Sequence, residues 1–500
     1  MLKETLFPFK IINGVGKRLL DNYWLSKKVI ENGSPALLEE ISKQKAFYIH
    51  KKALKNVSAY QKFIRGKKYS LIEDVPLTDK KNYVKKYSYE SRCVNNKFPK
   101  KGIIEESSGS SGKPTNWIRE VGEAELLYKA AKFEFYYTFN ADKKDYIVLS
   151  GWSSGPWATG LKFCELMEQY MLVKNTTADI DNNIRTLKQL GKKYNYLIAG
   201  YPPFLKNLFD SKEINWKQYK IDIITGGEST TLEWKKYIRK QLGNKNAKII
   251  SSYGASDIDI GIGFETPFSE FIRELTNKNQ VLNKKLFGTD QNPILFQYNP
   301  LMHYIENNKV GDFSVTLLDP EVASPKVKYN LHDRGGAISY KDIIKDLNKY
   351  ERNKLKTFLK KNKTLKLPFL YVCGRVDGTI SIGGNNIYPQ QVEEAIHASK
   401  LASKVNRFMI GTSQDKHFNV KFDVHVELKK GVKKTNLKPF LEKIILKKLL
   451  EENLEFKEYY RNHKTNQVYL KPKVSLYDFN KEHIFKKQNK SIKQNYILKS

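Results

Sequence analysis

Cysteine is nearly absent. The 500 residues hold three, Cys93, Cys164 and Cys373, an odd and widely spaced set that builds neither a disulfide framework nor a zinc site. A reducing, cytoplasmic setting is the expectation. Histidine is scarce too, with eight in all. No His-x-x-x-His pair occurs, and His425 and Glu427 fall on an alternating strand pattern with no cysteine pair after them, so no structural metal is assigned. No apolar run reaches the roughly 18 residues that a spanning helix needs. The first twenty residues carry charges inside their apolar stretch and offer no clear cleavage site, which excludes a secretory signal from the reading. Internal repeats are missing, as is the G-x-x-x-x-G-K-[ST] loop of NTPases.

Negative charge is in short supply. Lys and Arg number 88 against 53 Asp and Glu, a formal charge of +35. Such a balance raises the question of a polyanionic partner. Lysine is spread along the whole chain, however, and arginine is scarce. The densest basic runs, Lys360 to Lys366 and Lys486 to Lys493, lack the interleaved aromatics of a nucleic-acid stacking platform. Solvated lysine-rich faces are the reading adopted, with no nucleic-acid partner and no membrane span.

What is present is ample apolar material, 40% hydrophobic and 12% aromatic. One core seldom grows past about 250–300 residues, so two or three domains are expected. Residues 1–100 read as mostly helical, NGSPALLEEISKQKAFYIHKKAL being the clearest stretch. From there short apolar runs alternate with helical patterns: DYIVLSG (145–151), YNYLIAG (194–200), KIDIITGG (220–227) and AKIISSYG (247–254). Ile180 to Lys193 and Thr231 to Leu242 are among the helical lengths between them. Strand, glycine turn and helix in repetition predict an α/β sheet covered by helices, with ligands beyond the carboxyl ends of the strands. Residues 266–310 read as less regular, 310–320 as a strand and 341–363 as one long helix. The remainder, 376–500, has the size of a small α+β domain, with a strand at 418–428 and a helix at 437–453. The large α/β part, with its mixed sheets, would be 101–375.

Four loops carry chemistry. In ESSGSSGKP, Gly109 and Gly112 free the backbone, Ser107, Ser108, Ser110 and Ser111 offer hydroxyls and Lys113 a cation, as a polyphosphate requires. In ISSYGASD, Tyr253 could stack on a purine or close an acyl pocket, and Asp257 could hold a divalent cation. In YNLHDRGG, Asp333 stands on a turn after a strand, where it could accept from ribose hydroxyls. In GRVDGTISIGGNNIYPQQVEEAI, Arg375 and Asp377 precede a short strand, Gly383-Gly384 and an amphipathic helix. Trp152 and Trp157 on a glycine-rich turn, with Tyr136 on a preceding helix, could wall an apolar acyl pocket.

In this order the loops resemble those of the acyl-adenylate-forming superfamily of acyl-CoA ligases, peptide-synthetase adenylation domains and luciferases. YPPFLKNL (201–208) and TGGES (225–229) are most similar to its phenylacetate–CoA ligase-like branch. The resemblance implies an ATP-dependent ligase that forms acyl-AMP and pyrophosphate, then transfers the acyl group to a thiol such as coenzyme A. A carrier-protein thiol, an amine or a hydroxyl is an alternative acceptor. A second alternative is a non-catalytic polyanion-binding protein on a degenerate ligase fold. By the same implication Ser107 to Lys113 grip the β- and γ-phosphates, and Tyr253, Gly254 and Ser256 contact the nucleotide. Asp257 binds Mg²⁺ where the family usually has glutamate. Gly227 and Glu228 border the adenine and the acyl pocket, while Asp333 and Arg375 hold the ribose, although Leu331 and His332 replace the usual Thr-Gly. Asp377 becomes the hinge of a mobile C-terminal domain, Gly383 and Gly384 line the thiol tunnel, and Lys490 (after Asn489 in place of glycine) or Lys493 is the catalytic lysine.

Overall fold

The computed structural model describes residues 18–107 except 19, 114–154, 158–228, 230–289, 292–375, 379–462 except 398, 400 and 402, 467–479 and 485. Near the start of the described residues lie helices Tyr23–Asn32, Pro35–Asn56 and Ser58–Ile64. Pro35 sits at a first helical position and the Ser34 side chain accepts from the Leu37 N–H, which starts the long helix where the NGSP signal predicts it. β1 (Gly102–Ser107) and β2 (Thr115–Glu120) form a separate antiparallel hairpin.

Five strands then alternate with helices: β3 (Tyr146–Ser150), β4 (Leu172–Asn175), β5 (Asn195–Gly200), β6 (Lys220–Gly226) and β7 (Ile249–Ala255). The β3–β4, β3–β5, β5–β6 and β6–β7 pairs are all parallel. Parallel strands must be covered on both faces, and these residues allow it. Ile147, Leu149, Tyr196, Ile198, Ile221 and Ile223 pack on one face against helices Ile180–Leu190, Pro202–Asp210 and Leu232–Leu242. Their neighbours Tyr146, Val148, Leu197, Ala199 and Ile224 pack on the other, against Val121–Phe139 and Ala158–Glu168. Because these strands run the same way, the residues after Ser150, Gly200 and Gly226 emerge on one edge.

β8 (Asp259–Phe264), β9 (Ile294–Gln297), β10 (His303–Asn307), β11 (Asp312–Leu317), β12 (Tyr329–Ile338) and β13 (Phe369–Arg375) extend the sheet antiparallel. The result is one mixed eleven-stranded sheet in the order β10-β11-β12-β13-β9-β8-β7-β6-β5-β3-β4. The N-terminal helices cover its antiparallel half, Ala46, Ile49, Ala53 and Tyr60 packing with Phe313, Val315 and Tyr329. β14 (Ile380–Ile382) and β15 (Asn385–Ile387) make a hairpin, and β16 (Val405–Gln414), β17 (Val420–Leu428) and β18 (Pro472–Tyr477) make a three-stranded sheet under helices Pro389–His397 and Leu437–Glu452. Among the described residues, the main core cluster of this small α+β unit draws on residues 380–476.

Three local expectations are corrected. Residues 266–310 contain two helices, Pro267–Lys278 and Gln280–Phe287, the first started by a Thr266 capping box and Pro267. The 341–363 stretch is two helices, Tyr340–Asp346 and Lys349–Lys361, because Asn348 caps the second and Leu347 is extended. Asp333 lies within β12 rather than on a turn after a strand. His332 before it has φ +61° and the register shifts after Arg334, so the strand is kinked at this point.

Candidate active site

Ser107 ends β1, and the rest of the predicted phosphate loop, Ser108 to Lys113, lies outside the described residues. What the structure shows is how the hairpin is anchored. Arg119 Nε donates to Glu105 at 3.1 Å and its guanidinium reaches the Ser256 carbonyl at 2.8 Å. Lys162 bridges Glu105 and Asp259, at 3.2 Å each. These buried charges compensate one another, which is the condition for burying them at all. They tie the hairpin to the ISSYGASD turn. The Ser107 hydroxyl accepts from Trp117 Nε1 at 2.8 Å and also bonds to the Asp257 carboxylate.

Tyr253 and Asp333, 80 residues apart, meet: the tyrosine O–H donates to Asp333 Oδ2. The Tyr253 ring leans on Phe296 and Phe313, at 5.7 and 6.1 Å. Residue 375 pairs with Asp333 across β12 and β13, although the Arg375 side chain is outside the described set. Ser256, just past β7, lends its carbonyl to Arg119, and Gly254 lies within the strand.

Gly227 and Glu228 follow β6, and here the small unit touches the large one. Glu228 Oε1 accepts the Gly384 N–H at 2.7 Å. Gly383 and Gly384 form the β14–β15 turn with φ +60° and +81°. A Cβ on Gly384 would lie 2.2 Å from the Tyr201 ring, and one on Gly383 2.4 Å from Tyr459. Burial pushes the Glu228 carboxyl up to about 7, against the opposing pull of the Gly384 and Gly383 N–H groups.

Trp152 stands edge-on to Tyr201 with ring centroids 4.7 Å apart, beside Phe163. Its indole N–H is buried without a hydrogen-bond partner among the described residues. Tyr136 packs on Tyr23 at 5.4 Å in an outlying cluster with Phe133, Phe264 and Leu365, because its helix turns that face toward the N-terminal helix. Trp157, Asp377, Lys490 and Lys493 fall outside the described residues.

Asp257 does not offer a vacant metal seat. Oδ1 is 3.0 Å from Lys80 Nζ, and Oδ2 accepts the Tyr329 O–H at 2.9 Å. Burial disfavours its charge, but Lys80, Tyr329 and Ser107 outweigh burial and hold the carboxyl below the usual range. Among the described residues no three His, Cys, Asp or Glu side chains cluster as metal ligands.

With the edge of the sheet assembled, solved structures give a match over nearly the whole chain. 2-Hydroxyisobutyryl-CoA ligase, in complex with 2-HIB-AMP and CoA in the thioesterification state, has a TM-score of 0.61 at 14% identity, covering 94% of this chain and 91% of that one. The chain has the fold of this CoA ligase. The same enzyme in its postadenylation state with R3-HIB-AMP scores 0.53 at 13% identity, over 91% and 89% of the two chains. In its open conformation with 2-HIB-AMP and CoA it scores 0.52 at 13%, over 92% and 91%. The α/β ligase fold, with its large mixed sheet and small C-terminal sheet, is thereby established. No protein-family model matches this chain, and no curated protein matches it in sequence. No helix among the described residues is long and apolar enough to cross a membrane.

Within this ligase fold several partners went unseen in the sequence: Tyr201, Lys80, Tyr329 and the Glu105–Arg119–Lys162 anchor. Tyr201 had a signal, since it directly follows a glycine-ended strand. The Glu228 contact also makes a prediction. A carboxyl raised from 4.5 to about 7 favours the folded state below pH 4.5, and that contribution is lost as pH rises through 7. Such a shift corresponds to about 3 kcal/mol for a fully shielded group, and to about 2 kcal/mol for one that water partly reaches. Glu228→Gln keeps an acceptor for Gly384 and removes the titration. Its urea midpoint should fall less than that of the wild type between pH 5 and pH 8.

Proposed function

We propose that this chain activates a carboxylic acid by adenylation and passes the acyl group to a thiol, coenzyme A being the first acceptor to test. The observation that carries this reading is the convergence, on one edge of the sheet, of the Tyr253–Asp333 pair and the Gly383–Gly384 turn seated on Glu228. The fold it shares with a CoA ligase supports it.

In this reading Tyr253 faces the adenine and Asp333 accepts from the ribose, its geometry set by the Tyr253 O–H. Catalysis of attack on the α-phosphorus is positioning and charge stabilisation. The anchored β1–β2 hairpin holds the departing pyrophosphate through Ser107 and the loop after it. Lys490, or Lys493, brings the carboxylate and the α-phosphate together. The Gly383–Gly384 turn packs bare backbone against Tyr201, where a thin thiol-bearing arm would approach the acyl-adenylate. Trp152, Tyr201 and Phe163 wall the acyl pocket, which suits an apolar or aromatic acid, as in the phenylacetate–CoA ligase-like branch. The unpartnered Trp152 indole N–H suits an acid bearing one hydrogen-bond acceptor.

ATP–pyrophosphate exchange against a panel of aliphatic, hydroxylated and aromatic acids, followed by thioester formation with coenzyme A, tests both halves. No exchange with any acid would remove the proposal. Asp333→Ala should raise the KM for ATP about tenfold, the cost of a charge-assisted hydrogen bond. An unchanged KM would take Asp333 out of the nucleotide site.

A further inference from the structure

The resemblance of the ISSYGASD loop implies that Asp257 holds Mg²⁺, and the surroundings of Asp257 disagree. We infer that Lys80 has taken the place of a divalent cation at Asp257, so that the positive charge at this end of the hairpin belongs to the protein itself. Lys80 comes from the N-terminal segment, far from the motifs that mark the nucleotide site.

Its position is fixed by the backbone on both sides. The Thr78 N–H donates to the Lys328 carbonyl at 3.0 Å and the Thr78 carbonyl accepts from the Asn330 N–H at 2.7 Å, which straps this segment along β12 beside Tyr329. Asp79 then starts a single π-turn, Lys80–Val84, through a capping box with Asn82. Asp79 itself faces His332 Nε2 at 3.3 Å. Lys80 and Tyr329, which use the two oxygens of Asp257, are therefore held by one bridge, Thr78 to Tyr329. A carboxylate with both oxygens engaged, one by an ammonium group, has little left for a cation that demands near-octahedral oxygen ligands.

A second lysine lies close by. Lys326 Nζ sits 4.6 Å over the face of Trp117, and Lys80 Nζ lies 5.9 Å from the same ring. Trp117 Nε1 in turn donates to Ser107 at the stem of the phosphate-binding hairpin. Lys80 and the Tyr329 and Ser107 hydroxyls thus converge on Asp257, and Trp117 lies beside Lys80 and Ser107. This arrangement neutralises the carboxylate without a metal. The inference rests on the proposed function only in placing nucleotide phosphates at this hairpin.

Manganese alone, titrated into the full chain and followed by electron paramagnetic resonance, decides the matter. The wild type and Asp257→Asn should bind the same number of Mn²⁺ ions. Lys80→Gln should gain one Mn²⁺ site, and Lys80→Gln/Asp257→Asn should lose it again. Lys80→Met serves as the second variant should glutamine disturb the π-turn, with folding checked by circular dichroism. A wild-type site that Asp257→Asn abolishes would overturn the inference, as would folded Lys80 variants that gain no site. The readout needs no turnover. A chain silent in pyrophosphate exchange would count against adenylation, and the metal titration would be read unchanged.

Discussion

Replacing Gly384 with alanine is expected to slow thioester formation about 100-fold while pyrophosphate exchange falls no more than about threefold. The added Cβ would stand 2.2 Å from Cε1 and 2.3 Å from Cζ of Tyr201, where carbon atoms settle at roughly 3.5–4.0 Å. The φ of +81° adds strain for any residue with a Cβ, about 1–2 kcal/mol. Overpacking adds a further 1–3 kcal/mol or so. Together they shift the docked arrangement by about 3 kcal/mol, or roughly two orders of magnitude in rate. Adenylation in this reading does not require the turn to be seated on Glu228, so the two half-reactions should separate. Tyr201→Phe should give no rescue, because the clashing ring carbons remain, whereas Tyr201→Ala should restore part of the transfer in the Gly384→Ala background. Thioester product measured by chromatography, beside exchange of labelled pyrophosphate, reads both. Equal loss in both assays would remove the turn from the transfer step.

The second large effect concerns stability. Glu265 is fully buried, accepting from Lys235 at 2.7 Å, Arg273 at 2.5 Å and the Ser251 N–H at 2.7 Å. Lys235 and Arg273 keep its carboxyl below the usual range despite burial. Glu265→Ala leaves two buried cations with one remaining carboxylate, Glu270, 3.4 Å from Lys235. Losing one member of such a group costs about 3–5 kcal/mol. The urea midpoint should fall accordingly. Arg273 also donates to the Thr230 carbonyl at 2.8 Å, two residues beyond Glu228, so thiol transfer should suffer more than the loss of folded protein accounts for. The depressed carboxyl makes this contribution present above about pH 4.5, its ordinary value, and lost as acid protonates it. An unfolding free energy within about 1 kcal/mol of the wild type would show that the triad is not a stabilising unit.

The parallel half of the sheet was legible because its strands are buried on both faces and end in glycine. YNYLIAG and KIDIITGG announce such strands without any partner in view. The antiparallel half was less so. Its helices at 267–287 follow a Thr-Pro start that the surrounding asparagines and prolines obscured, and the kink at His332 depends on a register shift that one strand's sequence does not reveal. Motif order pointed to Tyr253, Asp333, Glu228 and Gly384, which pair among themselves, whereas Lys80 and the Arg119 and Lys162 anchors lie outside the motifs. Lys80 is one of 88 basic residues, and only its strap along β12 sets it apart. The packing of Tyr136 on Tyr23 was not legible, because an aromatic helix face has no marked inner side until its neighbour is placed.

The position of β13 bears on how the chain is made. The last strand of the large sheet in sequence inserts between β12 and β9. During synthesis, both edges wait unpaired while the two helices between 340 and 361 are added, and β8 and β9 share only the Phe264–Gln297 pairing. Open strand edges invite pairing with other chains. A nascent chain halted before residue 369 should therefore be a strong client for chaperones, and release of Phe369–Arg375 from the ribosome should be the event that closes the sheet.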